Sequence, residues 1–451
     1  MRYSPRVRAD ALLFLCVALV LTPIEGYGLD AGCVAALGEE FQPLTHTACG
    51  TAAVEGSASE IALDGDGPTA DAAEVPGRPR DTAPVVTPPP PPETHPQFYV
   101  ATDGSDDNPG SQSAPFKTIA HAARRATPDT TVFVAPGTYE GGFKTTSSGT
   151  ATGRIAYRST KRWGARIIPP ARSRSHTAWD NRGNFVDIVG FEVDGTDSRE
   201  GTKWTHGIYN GGSFDSVRDN HVHHIATSVP CTSAGGSAIG VDSYYHGVSS
   251  DVIGNVVHDI GPPGCRFVQG IYVSTSGTVK NNVVYRVSGA AIHLWHDATN
   301  VIITNNTVSA SDFGIIVGGG NFYHTSGPND HTVVSNNIVY DNRYGVSEQG
   351  KTGKHNTYQN NLLFRNTAYD WQLRNGLTPI ATVGADPKFV NYTRTGVSDF
   401  HLDSNSPAIG GGTATDAPLL DIEGKPRTPA TGYDIGAYQH GAAPGDTVSD
   451  R

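Results

Sequence analysis

The chain has 451 residues, of which 37% are hydrophobic and 17% charged, and 33 basic against 44 acidic side chains give a net charge of −11. No recognised nucleic-acid-binding motif accompanies the chain's charge, which argues against a nucleic-acid partner. Beyond the N-terminal segment no apolar stretch approaches membrane-spanning length, and the five cysteines show no CxxC spacing that would suggest a cysteine metal site.

Arg2, Arg6 and Arg8 precede an apolar run from Ala11 to Leu21, with Gly26 and Gly28 following. The pattern predicts a secretory signal peptide over residues 1–28, so the mature chain is expected to be extracellular or periplasmic. Cys16 leaves with that segment. The remaining cysteines form two separated pairs, Cys33 with Cys49 and Cys231 with Cys265, and an oxidising compartment favours disulfides. Residues 29–95 are poor in aromatics and end in PVVTPPPPPETHP, the composition of a largely disordered, acidic leader and linker. The leader holds 11 acidic and 2 basic residues, the chain from His95 onward 31 and 28, so the acidity belongs mostly to the leader. Residues 96–440 make the folded domain and 441–451 a flexible tail.

That domain opens with a strand, a polar turn, a short helix from about Phe116 to Arg125 and a strand-turn VFVAPGTY. An amphipathic helix here would cover strand edges that an open solenoid end leaves unpaired. Between Gly141 and Trp179 there is no acidic residue, whereas Lys144, Arg154, Arg158, Lys161, Arg162, Arg166, Arg172 and Arg174 all fall there. This basic run predicts a solvated face of the first coils, with contact to an anionic polymer as its functional alternative.

A six-fold repeat follows. HGIYN, AIGVD, GIYVS, AIHLW, GIIVG and GVSEQ are each followed by one of RDNHV, IGNVV, KNNVV, TNNTV, SNNIV and QNNLL. The anchors Ile208, Ile239, Ile271, Ile292, Ile315 and Val346 are spaced 31, 32, 21, 23 and 31 residues apart. Strand-sized units at this period predict an all-β, single-stranded solenoid, a parallel β-helix. The asparagines Asn220, Asn255, Asn282, Asn306, Asn337 and Asn361 form an inward column of mutually bonded amides.

The segment FYVATDGSDDNPGSQSAPFKTIAHAARRATPDTTVFVAPGTYEG, Phe98 to Gly141, resembles the opening unit of secreted right-handed β-helix proteins of the pectate-lyase-like superfamily. The stretch from Asp386 to Gln439 (DPKFVNY, DFHLDSNSPAIGGG, DIEGKPR, YDIGAYQ) resembles their closing coils. The resemblance implies a right-handed parallel β-helix with an N-terminal capping helix. It does not select an activity, because the superfamily includes lyases, hydrolases, epimerases and binding proteins.

Strand side chains alternate, so inward anchors place the next residue of each coil outward. That column reads Tyr209, Gly240, Tyr272, His293, Ile316 and Ser347, and a second reads Gly211, Asp242, Ser274, Trp295, Gly318 and Gln349. Tyr272 and His293 become neighbours, with Trp295, His296 and Asp242 close by, a notch at Gly240, and Gly318 to Gly320 keeping the next coil low. Loops containing Cys231, Cys265, Tyr244, Tyr245, His246 and Tyr323 wall the face, giving an aromatic groove suited to sugar rings.

A polysaccharide lyase needs a base, an acid and a group that holds the uronate carboxylate. His293 is the candidate base and Tyr272 the candidate acid, unless the tyrosine alone serves both steps. Arg266, His296 or His246 would hold the carboxylate, Tyr209, Asp242, Tyr244, Tyr245 and Trp295 would bind sugar, and Lys203 and His206 are outer candidates. Lys280 and Arg218, on a different sheet, are expected to be mostly solvated, with catalysis the minor alternative for Lys280. The expected substrate is an acidic polysaccharide, with a monomeric protein and no required cofactor; a calcium site lacks the Asp cluster that the ion prefers. Hydrolysis needs two carboxyl groups across one bond, and the outward columns hold only Asp242. Mannuronan-epimerase chemistry lacks its Asp-Pro-His-Asp signature. A glycoside hydrolase and a non-catalytic glycan-binding or adhesion protein remain the alternatives.

Overall fold

The computed structural model describes residues 95–171, 175–196, 203–430 and 432–441. The expected signal peptide, the expected disulfide partners Cys33 and Cys49, Arg172 and Arg174 of the basic run, and the tail past residue 441 lie outside the described residues.

The backbone forms a parallel β-helix. Each coil contributes one strand to each of three parallel sheets, which hold ten, nine and nine strands. One coil shows the path: His206–Asn210 lies on the third sheet, Ser216–Arg218 on the first and His221–His223 on the second. The predicted anchors pair as expected, Ile208 with Ile239, Ile271, Ile292, Ile315 and Val346 in turn. The column continues beyond the recognised repeat, to Trp179 and Phe143 before it and Trp371 after it. All six anchors are buried in one continuous apolar core.

A second feature of the repeat explains its paired asparagines. The residue before each ladder asparagine sits in the left-handed region, at Asp219, Gly254, Asn281, Asn305, Asn336 and Asn360, with φ between 51° and 68°. Only Gly, Asn and Asp adopt this conformation readily, and the turn from first to second sheet requires it. The second asparagine then points inward. Its Nδ2 donates to the Oδ1 of the next coil's asparagine at 3.1, 3.0, 2.9, 2.9 and 2.9 Å along the series from Asn220 to Asn361. Each Oδ1 also accepts the backbone N–H of the asparagine before it.

A helix α1, Ile119–Arg125, is capped by Thr118, whose Oγ1 accepts from His121 N at 3.1 Å, and buries Ile119, Ala122 and Ala123. In the basic run of the first coils Lys144, Lys161 and Arg162 are exposed, as expected of a solvated face, and three members form ion pairs across coils. Arg154 pairs with Asp187, Arg166 with Asp194 and Glu192, and Lys144 with Asp180. The acids missing from that stretch are supplied by the next coil, which stacks against it. At the other end, Phe400, Ile422 and Ala437 fold back onto Val283 and Tyr285 of the second sheet.

Candidate functional site

The third sheet carries a cleft of ≈ 660 Å³ on its outer face. Its floor is the predicted outward column from Tyr209 through Gly240, Tyr272 and His293 to Ile316, which pair in register; Ser347, next in the column, is buried and does not line the cleft. Tyr209, Asp242, Arg266, Tyr272, His293, Trp295 and His296 all line it. The walls are loops, and the Cys231–Cys265 disulfide joins the two that precede the second and third anchors.

Tyr272 meets His293 edge-on, with ring centroids 5.3 Å apart, and His293 lies 5.7 Å from Trp295. Neither ring nitrogen of His293 has a hydrogen-bond partner among the described residues, and both are shielded from water. Burial, with His296 nearby, lowers its pKa to about 3, so the imidazole is neutral at physiological pH. Burial, and after it the neighbouring Tyr323 and the Asp242 carboxylate, raises the Tyr272 phenol well above its ordinary value and keeps it protonated. A neutral imidazole with uncommitted nitrogens therefore faces a protonated phenol. That pairing can take one proton and give another.

Asp242 is fixed for a different task. Its Oδ1 accepts from Ser274 Oγ at 2.7 Å and from Tyr244 N at 2.9 Å. It is the one carboxylate among the residues lining the cleft. Glu348 is inward, as its parity required, and accepts from Tyr358 Oη, Asn356 Nδ2 and Arg374 N. Asp297 is buried and accepts from Ser243, Tyr323, His324 and Thr325, which shapes the loop after Gly320.

Several expectations change in three dimensions. His296 is already occupied: Nδ1 lies 2.7 Å from Asn321 O and Nε2 2.7 Å from Tyr323 Oη. A carbonyl only accepts, so Nδ1 bears the hydrogen and Tyr323 donates to Nε2. The ring is thus poorly placed to hold a carboxylate. Arg266 lines the rim, but its Nε donates to Asp312 at 2.7 Å. His246 does not line the cleft; it stacks on His324 at 3.9 Å. Tyr244 and Tyr245 also lie outside the cleft, 56% and 52% exposed, yet they extend its aromatic surface. Tyr244 packs on Tyr323 and Tyr245 on Tyr209. Nor do the glycines merely lower the next coil. The Trp295 ring lies across Gly318, Gly320 and Gly350, where an added Cβ would come within 2.8 Å of it.

His206, an outer candidate, proves to be in the cleft, with Nδ1 3.1 Å from Ser237 Oγ and a pKa lowered to about 4 by burial. Lys203 is turned away and donates to Ser228 O. Lys280 and Arg218 lie on the first sheet, remote from the cleft in register. Arg182 went unnoticed in the sequence. Its guanidinium lies 3.5 Å from the Tyr245 ring and 4.6 Å from the Tyr209 ring, and is held by Asp180. Its position two residues after Asp180, one coil before Tyr209, was the available signal.

Residues 102–146 match the family described as "Protein of unknown function (DUF1565)". The chain is 26% identical over 330 residues to the uncharacterized protein YwoF of Bacillus subtilis (strain 168), covering 60% of this chain and 68% of that one. Among solved structures, pectate lyase Pel9A aligns with a TM-score of 0.47 at 14% identity, covering 77% of this chain and 96% of its own. A rhamnogalacturonan lyase aligns with a TM-score of 0.45 at 16% identity, covering 69% and 97%. The three-sheet coil itself is that of a parallel β-helix. The activities named belong to those proteins.

Proposed function

We propose that this protein is a secreted enzyme that cleaves a uronate-containing polysaccharide by β-elimination in the Tyr272–His293 cleft. The observation that carries the reading is His293, an imidazole with two uncommitted nitrogens set edge-on against a tyrosine on the floor of an aromatic cleft. Leaving a buried polar group unpaired costs about 1–3 kcal/mol, which a ligand contact would recover.

In this reading neutral His293 takes the proton α to the uronate carboxyl. The released electron pair forms the new carbon–carbon double bond while the bond to the glycosidic oxygen breaks. Tyr272 gives its proton to that departing oxygen, and solvent resets both groups. Tyr209 and Trp295 stack against sugar rings, with Tyr244 and Tyr245 extending the track. Asp242 accepts from sugar hydroxyls. Arg266, although paired with Asp312, is the one guanidinium among the residues lining the cleft and would face the carboxylate from the rim. The reading requires no metal, takes the protein as a monomer exported by residues 1–28, and gives α1 the task of covering the first coil. The lone carboxylate of the cleft disfavours hydrolysis, which uses two.

The test is incubation of the purified domain with alginate, pectate, glucuronan and glycosaminoglycans while following the absorbance of an unsaturated uronyl product. Absorbance should rise on one of them, and His293→Ala and Tyr272→Phe should each lower the rate at least about 100-fold. New reducing ends without absorbance would mean hydrolysis, and retention without either signal would mean binding alone. Unchanged rates in both variants would sink the assignment.

A further inference from the structure

A second group of ionisable side chains lies on the second sheet, apart from the cleft. Three neighbouring strands there, Glu192–Asp194, His221–His223 and Val256–Ile260, run in parallel register. Glu192 pairs with His221, and Asp194 with His223 and then His258. Residues two apart on a strand share a face, so two carboxylates and three imidazoles form one patch. The His221 and His223 rings are 4.5 Å apart, His221 and His258 4.9 Å, and His223 and His258 stack at 5.1 Å. Trp163 packs on His221 at 4.8 Å and Tyr285 on His258 at 4.9 Å, so aromatic walls enclose the imidazoles.

Their polar atoms converge. His223 Nε2 is 3.1 Å from Glu192 Oε1, and His221 Nε2 is 2.8 Å from His258 Nε2. His223 Nδ1 is 2.8 Å from His224 Nδ1 and 3.5 Å from Asp194 Oδ1. An imidazole nitrogen facing another can be satisfied only by a single shared proton. The tautomer of His258 follows from its partner. Its Nδ1 lies 2.6 Å from Asp259 Oδ2, so Nδ1 bears the hydrogen and Nε2 presents a lone pair towards His221. Asp259 is in turn clamped by Arg286, with both contacts at 2.6 Å. A carboxylate that orients an imidazole from behind is the usual outer support of a metal-bound histidine. Arg166, which contacts Asp194 and Glu192, and Arg286 are the facing cations, set against the carboxylates of Glu192, Asp194 and Asp259.

We propose that Glu192, His221 and His223 bind a divalent transition-metal ion of the zinc class, with His258 in reach as a fourth ligand and Asp259 orienting it. Ligand atoms of the first three residues lie within 4.8 Å of one another. Small side-chain rotations would bring them to the edge of roughly 3.3 Å that a tetrahedral zinc site with nitrogen and oxygen ligands needs. Imidazole-rich donors select zinc, copper or nickel over calcium or magnesium, which prefer all-oxygen sets. The ion would replace the proton shared by His221 and His258 and would tie three successive coils together. The site rests on none of the residues assigned to the cleft.

The experiment dialyses the full chain against Zn²⁺ and then metal-free buffer, counts bound metal by atomic emission, and repeats the binding with Co²⁺ to read its visible absorption. One ion per chain, a tetrahedral Co²⁺ band and a raised Tm are expected. The His221→Ala/His223→Ala double variant should lose the ion. Glu192→Gln, which keeps the shape, should weaken binding, and Asp259→Asn should weaken it about 10- to 100-fold. Circular dichroism checks that each variant is folded. His293→Ala should bind metal as the unaltered chain does, so the outcome is independent of the lyase reading. The proposal is overturned if the folded chain retains no ion, leaving a hydrogen-bonded imidazole ladder. It is equally overturned if Glu192→Gln and the double variant keep the same Co²⁺ spectrum, or if the ion is lost only when Asp330, His331 and His355 are replaced.

Discussion

His293 and Tyr272 illustrate how burial on a strand face sets chemistry. An exposed imidazole is half-protonated near pH 6.5, but the desolvated ring of His293 holds out to about 3. Tyr272 is pushed the other way and loses its proton only well above its ordinary value. Both groups thus stay neutral across the working range. If His293 is the base, kcat/KM should lack the acid limb near pH 6.5 that an ordinary histidine would produce, and should stay level from about pH 5 to 9. A pH–rate profile on the polymer identified by screening measures this. A limb near 6.5 would hand the base role to another group. At the same scale, His296 shows why residue type alone is a weak guide. It lies beside the pair, but its two nitrogens are committed to Asn321 and Tyr323.

The strand-to-strand turn is the element on which the coil depends. Its first residue takes the left-handed conformation and its second sends an amide inward, so two adjacent positions serve two separate physical needs. Asn306 sits in the middle of the ladder. It accepts from the N–H and Nδ2 of Asn282, and its own Nδ2 donates to Val279 O and Asn337 Oδ1. Asn306→Ala should therefore leave the buried Asn282 N–H without its acceptor and take one partner from each of the Asn282 and Asn337 amides, and lower stability by about 3 kcal/mol. Asn361, the last of the six, accepts the same two bonds from Asn337 but donates only to the carbonyls of Val334 and Gln359, so changing it to Ala is predicted to cost less by the one onward amide bond it lacks. Urea midpoints of the two variants make the comparison. Equal losses would mean that the ladder is a row of independent bonds.

Across the whole domain, coils contact mainly their neighbours, so local perturbations add along the stack. Two buried histidines of the cleft give this stack a pH dependence. His206 is lowered to about 4 by burial, with Asp242 and Asp180 opposing the shift and Arg182 and His176 adding to it; His293 is lowered to about 3 by burial and His296. Below pH 6.5 the unfolded chain takes up protons that the folded chain refuses. Their contribution to stability is therefore complete above 6.5 and is lost as pH falls towards 4 and then 3. At pH 5 the loss amounts to about 2 kcal/mol for each. Urea unfolding at pH 7.5 and 5.0 should show it, and His293→Phe should remove roughly half of this part of the difference. An unchanged pH dependence in that variant would place the effect elsewhere.

The repeat determined the coil by itself, because a period of two along each strand and a recurring anchor-then-asparagine pattern, kept while the loops between vary, leave only one stacking in which all anchors are buried. The register, the amide column and the adjacency of Tyr272 with His293 follow from that periodicity, and so all were legible. Which atoms are committed was not. The capture of His296 by Tyr323, of Arg266 by Asp312, and the bed of glycines under Trp295 depend on loops of unequal length whose paths have no period. The pairing of the basic run with Asp187, Glu192 and Asp194 likewise needs the next coil in place. Periodicity encodes which residues share a face; only the folded loops decide which of their hydrogen-bonding groups are left for a ligand.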